Sequence, residues 1–233
     1  MPGIPSTATA SLSVGSSLTI TPGVETGTQE RWLNAVPCRA PCWENITPGK
    51  NTPEQALELL KQVPGITGIE KSPEHPIATK PVAIYWNRVG ILNTSGVVSY
   101  HHDPASPFVE YIKMPEGAYK LRDISKLYGE PSHIMAMLEF DELGRTVIGY
   151  DLYLVYLDQG LMLANKFSKL PAIASDTDFP EIYFFAPGVP GLSKIYGPRP
   201  ELMVEWQGFK GFNYYCRRST EAGTGNCDSV LNS

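Results

Sequence analysis

The sequence predicts an α+β fold of two tandem helix-plus-antiparallel-sheet units. Two observations carry the prediction. A capped amphipathic helix near Thr52 leads into three short strand-like runs, and the same order begins again near Lys120. The chain also holds 21 Gly and 21 Pro in 233 residues, which favours many turns and short strands over a helical bundle.

The prediction divides the chain into a tether (1–29), a first unit (30–118), a second unit (119–218) and a tail (219–233). The tether is rich in Ser, Thr, Gly and Pro. Met1 to Thr28 has neither a basic start nor an apolar run, so it does not read as a signal peptide. Glu30 to Val36 reads as a helical turn that docks Trp32 and Leu33.

The stretch Pro37 to Gln55 then separates tether from body. Thr52 is a helix N-cap, Pro53 suits the first helical position, and Gln55 completes a capping box. Ala56, Leu59, Leu60 and Val63 form one apolar stripe. Ile66 to Lys80 reads as a strand and a polar loop. Strands follow at Val82 to Asn87, Gly96 to Tyr100 and Phe108 to Lys113.

In the second unit Leu121, Ile124, Leu127 and Tyr128 repeat at helical spacing. Gly129 stands where a left-handed cap belongs, with Pro131 beyond. Strands are expected at Ile134 to Phe140, Thr146 to Leu157, Leu161 to Phe167, Glu181 to Phe185, Leu202 to Trp206 and, last, Phe212 to Tyr215. Leu192 to Gly197 echoes Ile124 to Gly129 and could be a further degenerate helix.

Composition narrows the function classes. Net charge is −5 and no basic run occurs, so nucleic acid is not an expected partner. No stretch reaches transmembrane length. Four cysteines, Cys38, Cys42, Cys216 and Cys227, flank the folded body, which points to disulfides and an oxidising compartment.

Candidate sites are few. His101-His102-Asp103 is the densest group of ligand-type side chains, but neighbouring strand residues point to opposite faces. His75 and His133 are isolated. Loop carboxylates such as Asp141, Glu142, Asp176, Asp178 and Glu181 lack the fixed pairing that a glycosidase needs. No G-x-S-x-G, H-E-x-x-H or P-loop pattern occurs. Neither a catalytic nor a metal-ligating residue is assigned, and no cofactor is expected.

The aromatic surplus is the best functional hint. Tyr150, Tyr153 and Tyr156 are spaced by three, so on a strand they cannot all share one face. With Trp206 they are the candidate binding residues, since exposed tyrosines on a sheet give contact area at low entropic cost. The competing reading is a two-layer core filled by aromatics.

Cys38-Arg39-Ala40-Pro41-Cys42-Trp43, then Ile46-Thr47-Pro48-Gly49 and the helix after Thr52, resemble a group of bacterial exported lipoproteins whose opening reads C-x-x-P-C-W and G-I-T-P-G. Leu121 to Pro131 resembles their L-x-D-L-x-x-x-Y-G-E-P segment. Both units look like the small α/β module of the lipoprotein BamE (SmpA) and of the tandem β-lactamase inhibitor protein. Asn45 stands where the pattern has Gly, and Asn is the next residue able to hold a left-handed turn. The lipid-bearing cysteine is not in this sequence.

Three disulfide pairings are possible. The resemblance implies that Cys38 and Cys42 pair with each other, and the Arg39-Ala40-Pro41 turn permits it. Cys216–Cys227 follows, closing a loop that contains Gly223 and Gly225. The expected function is an extracytoplasmic protein-binding or scaffold module, secreted or anchored at the cell surface, with a protein or cell-envelope component as partner. The alternatives are a hydrolase or metal-dependent enzyme using His101, His102 and Asp103, and a purely structural envelope component.

Overall fold

The computed structural model describes residues 28–73, 81–88, 95–101, 105–115, 117–143, 146–195, 197–221 and 227. The helices are α1 (Thr28–Leu33), α2 (Pro53–Leu60), α3 (Leu121–Tyr128), α4 (Val189–Leu192) and α5 (Phe212–Glu221). The strands are β1 (Ile66–Lys71), β2 (Val82–Arg88), β3 (Ser95–Tyr100), β4 (Val109–Lys113), β5 (Tyr119–Lys120), β6 (His133–Phe140), β7 (Val147–Tyr156), β8 (Leu161–Phe167), β9 (Asp178–Phe179), β10 (Glu181–Phe185) and β11 (Val204–Glu205).

The fold mixes helix and strand around one large antiparallel sheet. Its order is β1-β2-β3-β4-β10-β8-β7-β6-β11, and β5 pairs separately with β9. The two predicted meanders are joined edge to edge: Tyr183, Phe184 and Phe185 of β10 pair with Lys113, Ile112 and Tyr111 of β4. The sheet is therefore continuous across the expected boundary near residue 118.

One face carries the helices and the main core. Val82, Ile84 and Trp86, then Val98, Tyr100 and Ile112, then Ile182, Phe184, Leu161, Leu163, Leu152, Leu154 and Ile134 point to it. Against them pack Leu60 of α2, Leu121 and Ile124 of α3, and Phe212 and Tyr215 of α5. α2 begins as its sequence dictates: Thr52 N and Gln55 Oε1, and Gln55 N and Thr52 Oγ1, close the capping box.

The stretch between α1 and α2 is a tight hairpin. Trp43 and Ile46 exchange backbone hydrogen bonds of 2.9 and 2.8 Å. Glu44 and Asn45 between them have φ of +48° and +65°, the signature of a type I′ turn. Asn45 thus takes the left-handed conformation expected of it. Cys38–Cys42 and Cys216–Cys227 are both disulfide-bonded. Ser219 and Cys227 are buried, so chain assigned to the tail packs on the body.

One element differs in kind. Phe212 to Tyr215, expected as a strand, opens α5. Phe212, Tyr215, Cys216 and Ser219 are all buried and fall at i, i+3, i+4 and i+7. Aromatic content suggested strand, but the period is helical. Leu202 to Trp206 is strand only at Val204–Glu205, preceded by a 3-10 turn at Pro200–Leu202.

Two substitutions test the packing by urea unfolding followed through tryptophan fluorescence. Leu60 is fully buried, and Leu60→Ala is expected to cost about 2–5 kcal/mol; a loss under about half a kcal/mol would mean that the stripe is not core. Gly96 lies opposite Trp86 in register, and a Cβ there would overlap the indole ring. Gly96→Ala is expected to cost about 1–3 kcal/mol, whereas Gly211→Ala, which meets nothing nearby, stays within about half a kcal/mol.

Candidate functional site

The candidate site is the sheet face away from the main helices. Strand alternation places Ala83, Tyr85 and Asn87 of β2 there, with Val97 and Ser99 of β3, Tyr111 and Lys113 of β4 and Glu181 and Tyr183 of β10. Tyr85 is 42% exposed.

Polar contacts order the middle of this face. Lys113 Nζ lies 2.5 Å from Glu181 Oε1, and the Tyr183 hydroxyl donates to Glu181 Oε2 at 2.8 Å. The Lys113 ammonium also sits 5.6 Å from the Tyr183 ring centre, and Tyr111 lies 6.1 Å from the same ring. Burial, reinforced by the Glu181 charge, pushes the Tyr183 phenol well above its ordinary range. Burial likewise raises the Tyr111 phenol. Both stay neutral at pH 7, as hydrogen-bonding groups whose rings meet at a tilt of 55°.

From β10 onward the face is covered. The chain after β10 crosses it, and Leu192 of α4 and Ile195 bury themselves on Met135, Tyr153, Val155, Met162, Tyr183 and Phe185. Gly191 is needed there because a Cβ would overlap the Ala186 carbonyl. Lys194 Nζ reaches Glu110 Oε1 at 3.2 Å, and His101 Nδ1 lies 2.7 Å from Glu110 Oε2. This pairing fastens the crossing segment to β4.

The four aromatics singled out in the sequence do not form a common surface. Tyr150 and Tyr156 face the helices. Tyr150 meets Phe212 edge-on at 5.4 Å, and Tyr156 is wholly buried with its hydroxyl 3.4 Å from Ser125 Oγ. Burial pushes the Tyr156 phenol up to about 12. Tyr153 faces the other way but is 8% exposed beneath the crossing segment. Trp206 is half-buried and stacks on Tyr215 at 5.6 Å. Tyr150, Tyr153 and Tyr156 thus pack both sides of β7, a strand covered on each face. Tyr85 was the residue to find, and its signal was present: Ala83, Tyr85 and Asn87 alternate with the more apolar Val82, Ile84 and Trp86.

His101 is engaged by Glu110, while His102 and Asp103 lie outside the described residues. Among the described residues no group of three or more His, Cys, Asp or Glu is arranged to hold a metal ion. Among them also, no helix is long and apolar enough to cross a membrane. The two disulfides are compatible with an oxidising compartment.

Further along the face Asp151 carries a buried Oδ1 without a hydrogen bond. Lys166 is 3.8 Å from that oxygen, too far to donate to it, and holds Glu139 at 3.0 Å instead. Desolvation therefore outweighs the Lys166 attraction and raises the Asp151 carboxyl above its ordinary value. A carboxyl raised by folding weakens the fold wherever it is ionised, and the penalty fades as pH falls through its folded pKa. Asp151→Asn is thus expected to raise stability at pH 7 by about 1 kcal/mol. The gain should vanish near pH 3, read from urea midpoints across the range. A loss at pH 7 would show that Lys166 dominates.

No family model matches the chain, and neither a curated protein nor a solved structure matches it.

Proposed function

We propose that this chain is an extracytoplasmic protein-binding or scaffold module without a catalytic site, and that its partner sits on the open face of β2, β3 and β4, bordered by β10. One observation carries the reading: an exposed Tyr85 stands beside a set of aromatic and charged groups, Tyr111, Lys113, Glu181 and Tyr183, already held in place by one another. Groups fixed before binding lose little entropy on binding, and tyrosine offers large area with few rotors. The partner is a protein or another cell-envelope component. Nucleic acid does not suit a chain of net charge −5.

The finer architecture is part of the same proposal. α2 leads into β1 to β4, and α3 leads into β6, β7, β8 and β10, so two helix-plus-meander units can be drawn with their last strands paired antiparallel. That order supports the reading as tandem modules resembling the exported lipoproteins with the cysteine–tryptophan opening. The paired cysteines support the extracytoplasmic location.

Photo-crosslinking in cell-envelope fractions tests the face. A crosslinker at position 85 is expected to trap a partner, while one at Leu143, which is 70% exposed in a turn, is not. Tyr85→Ala with Lys113→Ala should lower the yield from a crosslinker at Val97 at least tenfold without changing the unfolding midpoint. Equal yields from positions 85 and 143 would sink the proposal.

A further inference from the structure

Trp206, the candidate binding residue outside β7, belongs to a contiguous chain of rings at the β11 end of the sheet. It stacks on Tyr215, with centroids 5.6 Å apart and planes within 5°, and meets Phe209 edge-on at 5.7 Å. Tyr215 meets Tyr214 edge-on at 5.1 Å, and the Arg218 guanidinium lies 4.5 Å from the Tyr214 ring centre. Tyr215 is buried, and Trp206 and Tyr214 are half-buried. Phe209 is 54% exposed, more than any other aromatic side chain among the described residues.

A braced turn holds Phe209 out. Lys210 N–H donates to Gly208 O at 2.8 Å, which closes a three-residue turn with Phe209 at its apex. Gly208 takes a φ of +78° to enter it. The Tyr215 hydroxyl donates to Gly208 O at 2.6 Å and accepts the Gln207 N–H at 2.9 Å, so the turn is fastened to α5. Cys216, the next residue, is pinned by its bridge to Cys227. A lone apolar side chain on a surface needs no explanation. This one stands at a fixed tip, continuous with two half-buried rings.

Cations surround the tip. Phe212, Tyr215, Cys216 and Ser219 of α5 face the core, which turns Tyr214, Arg217 and Arg218 outward. From Trp206 to Thr220 the chain holds Lys210, Arg217 and Arg218 and no Asp or Glu, although its net charge is −5. All three cations are exposed. Glu205, one residue before Trp206, and Glu130, whose charge reaches Tyr215, border the patch.

We propose that this patch docks on the surface of an anionic lipid bilayer. Phe209 enters the boundary between headgroups and acyl chains, Trp206 and Tyr214 lie at headgroup level, and Lys210, Arg217 and Arg218 meet lipid phosphates. The order from the tip, apolar ring, then amphipathic rings, then cations, matches the order of depth in a membrane interface. Cations with no acid among them suit a surface of one sign, as anionic headgroups present. The patch lies on the helix side, at the other end of the sheet from β2, β3 and β4. Docking there leaves Tyr85 free, and the proposal does not depend on the protein-binding reading.

The test mixes the intact, disulfide-bonded chain with vesicles of phosphatidylcholine alone, or of phosphatidylcholine and phosphatidylserine in equal parts. Flotation is expected to show binding at least tenfold tighter to the mixed vesicles, weakened by added salt. An environment-sensitive fluorophore in place of Phe209 should shift to the blue on those vesicles, and one in place of Tyr85 should not. Phe209→Ser, and separately Lys210→Glu with Arg218→Glu, should each lower the binding at least fivefold at an unchanged unfolding midpoint. Phe209→Trp should keep it. No binding to the mixed vesicles would overturn the proposal, as would binding that neither variant weakens. A blue shift at position 85 without one at position 209 would place the lipid on the wrong face. A photo-crosslinker at position 209 that traps a protein, with the vesicles left unbound, would make the patch a protein-docking surface instead.

Discussion

Trp43 stacks on Trp86 at 5.1 Å, and the architecture depends on that contact. Trp86 spans β2 onto the glycine opposite it in β3, so Trp43 is the third layer of a stack built on the sheet. The I′ turn behind it sets the ring at this angle. From there the chain between α1 and α2 reaches in every direction. Ala40 N–H donates to the Tyr128 hydroxyl, and Arg39 donates to the Leu127 carbonyl, both on α3. Gly49 N–H reaches Val109 O, and Val109 N–H reaches Asn51 O, on β4. Arg31 of α1 pairs with the buried Glu44 at 3.3 Å. Burial raises the Glu44 carboxyl, and the Arg31 charge opposes that rise. A buried pair of this kind adds little net stability, but breaking it strands a charge. Its geometric role is to hold α1, and with it Trp32, against Tyr119, Tyr128 and Phe184.

With the helices committed to one side, the other face of the sheet is left in two unequal parts. Over β6, β7, β8 and β10 the segment around α4 supplies a second thin core. Over β2, β3 and β4 the half-buried and exposed side chains are alanine, tyrosine, serine, asparagine, valine and lysine. Glu110 marks the border, with His101 on one oxygen and Lys194 on the other. Cover and openness are thus properties of one chain crossing, and it ends where Lys194 is tied down.

Much of this was legible in the sequence. The Thr52 capping box, the alternation of β2 and the helical stripe of α3 are local patterns, and local patterns survive folding when burial agrees with them. Both disulfides formed as expected, Cys38–Cys42 as the family resemblance implied and Cys216–Cys227 across the glycine-containing loop between them. Three features were not. The joining of both meanders through β4 and β10 is a pairing between strands about 70 residues apart, and nothing local encodes it. Phe212 to Tyr215 carries strand-like side chains on a helical period, and composition was weighed above period. Some of Tyr150, Tyr153 and Tyr156 were expected to be exposed on a strand, yet Tyr153, on the face away from the helices, is buried. The second cover is an irregular segment with a four-residue helix, which leaves almost no periodic trace.

The edges of the sheet bear on where a partner can bind. An unprotected edge strand offers unpaired backbone groups to any extended chain. Here one edge is β11, only two residues long, with α5 packed beside it. The other is β1, and its pairing with β2 is interrupted between Thr67 and Glu70. Gly68 lies in that interruption with φ +58°, and a Cβ there would come within 2.8 Å of the Asn87 amide. Such a bulge twists the strand and spoils the even row of donors and acceptors that an added strand would need. Neither edge is therefore shaped to grow by strand addition. On the proposed protein-binding reading, recognition would therefore fall to side chains on the open face, with Tyr85 beside the Lys113–Glu181 pair.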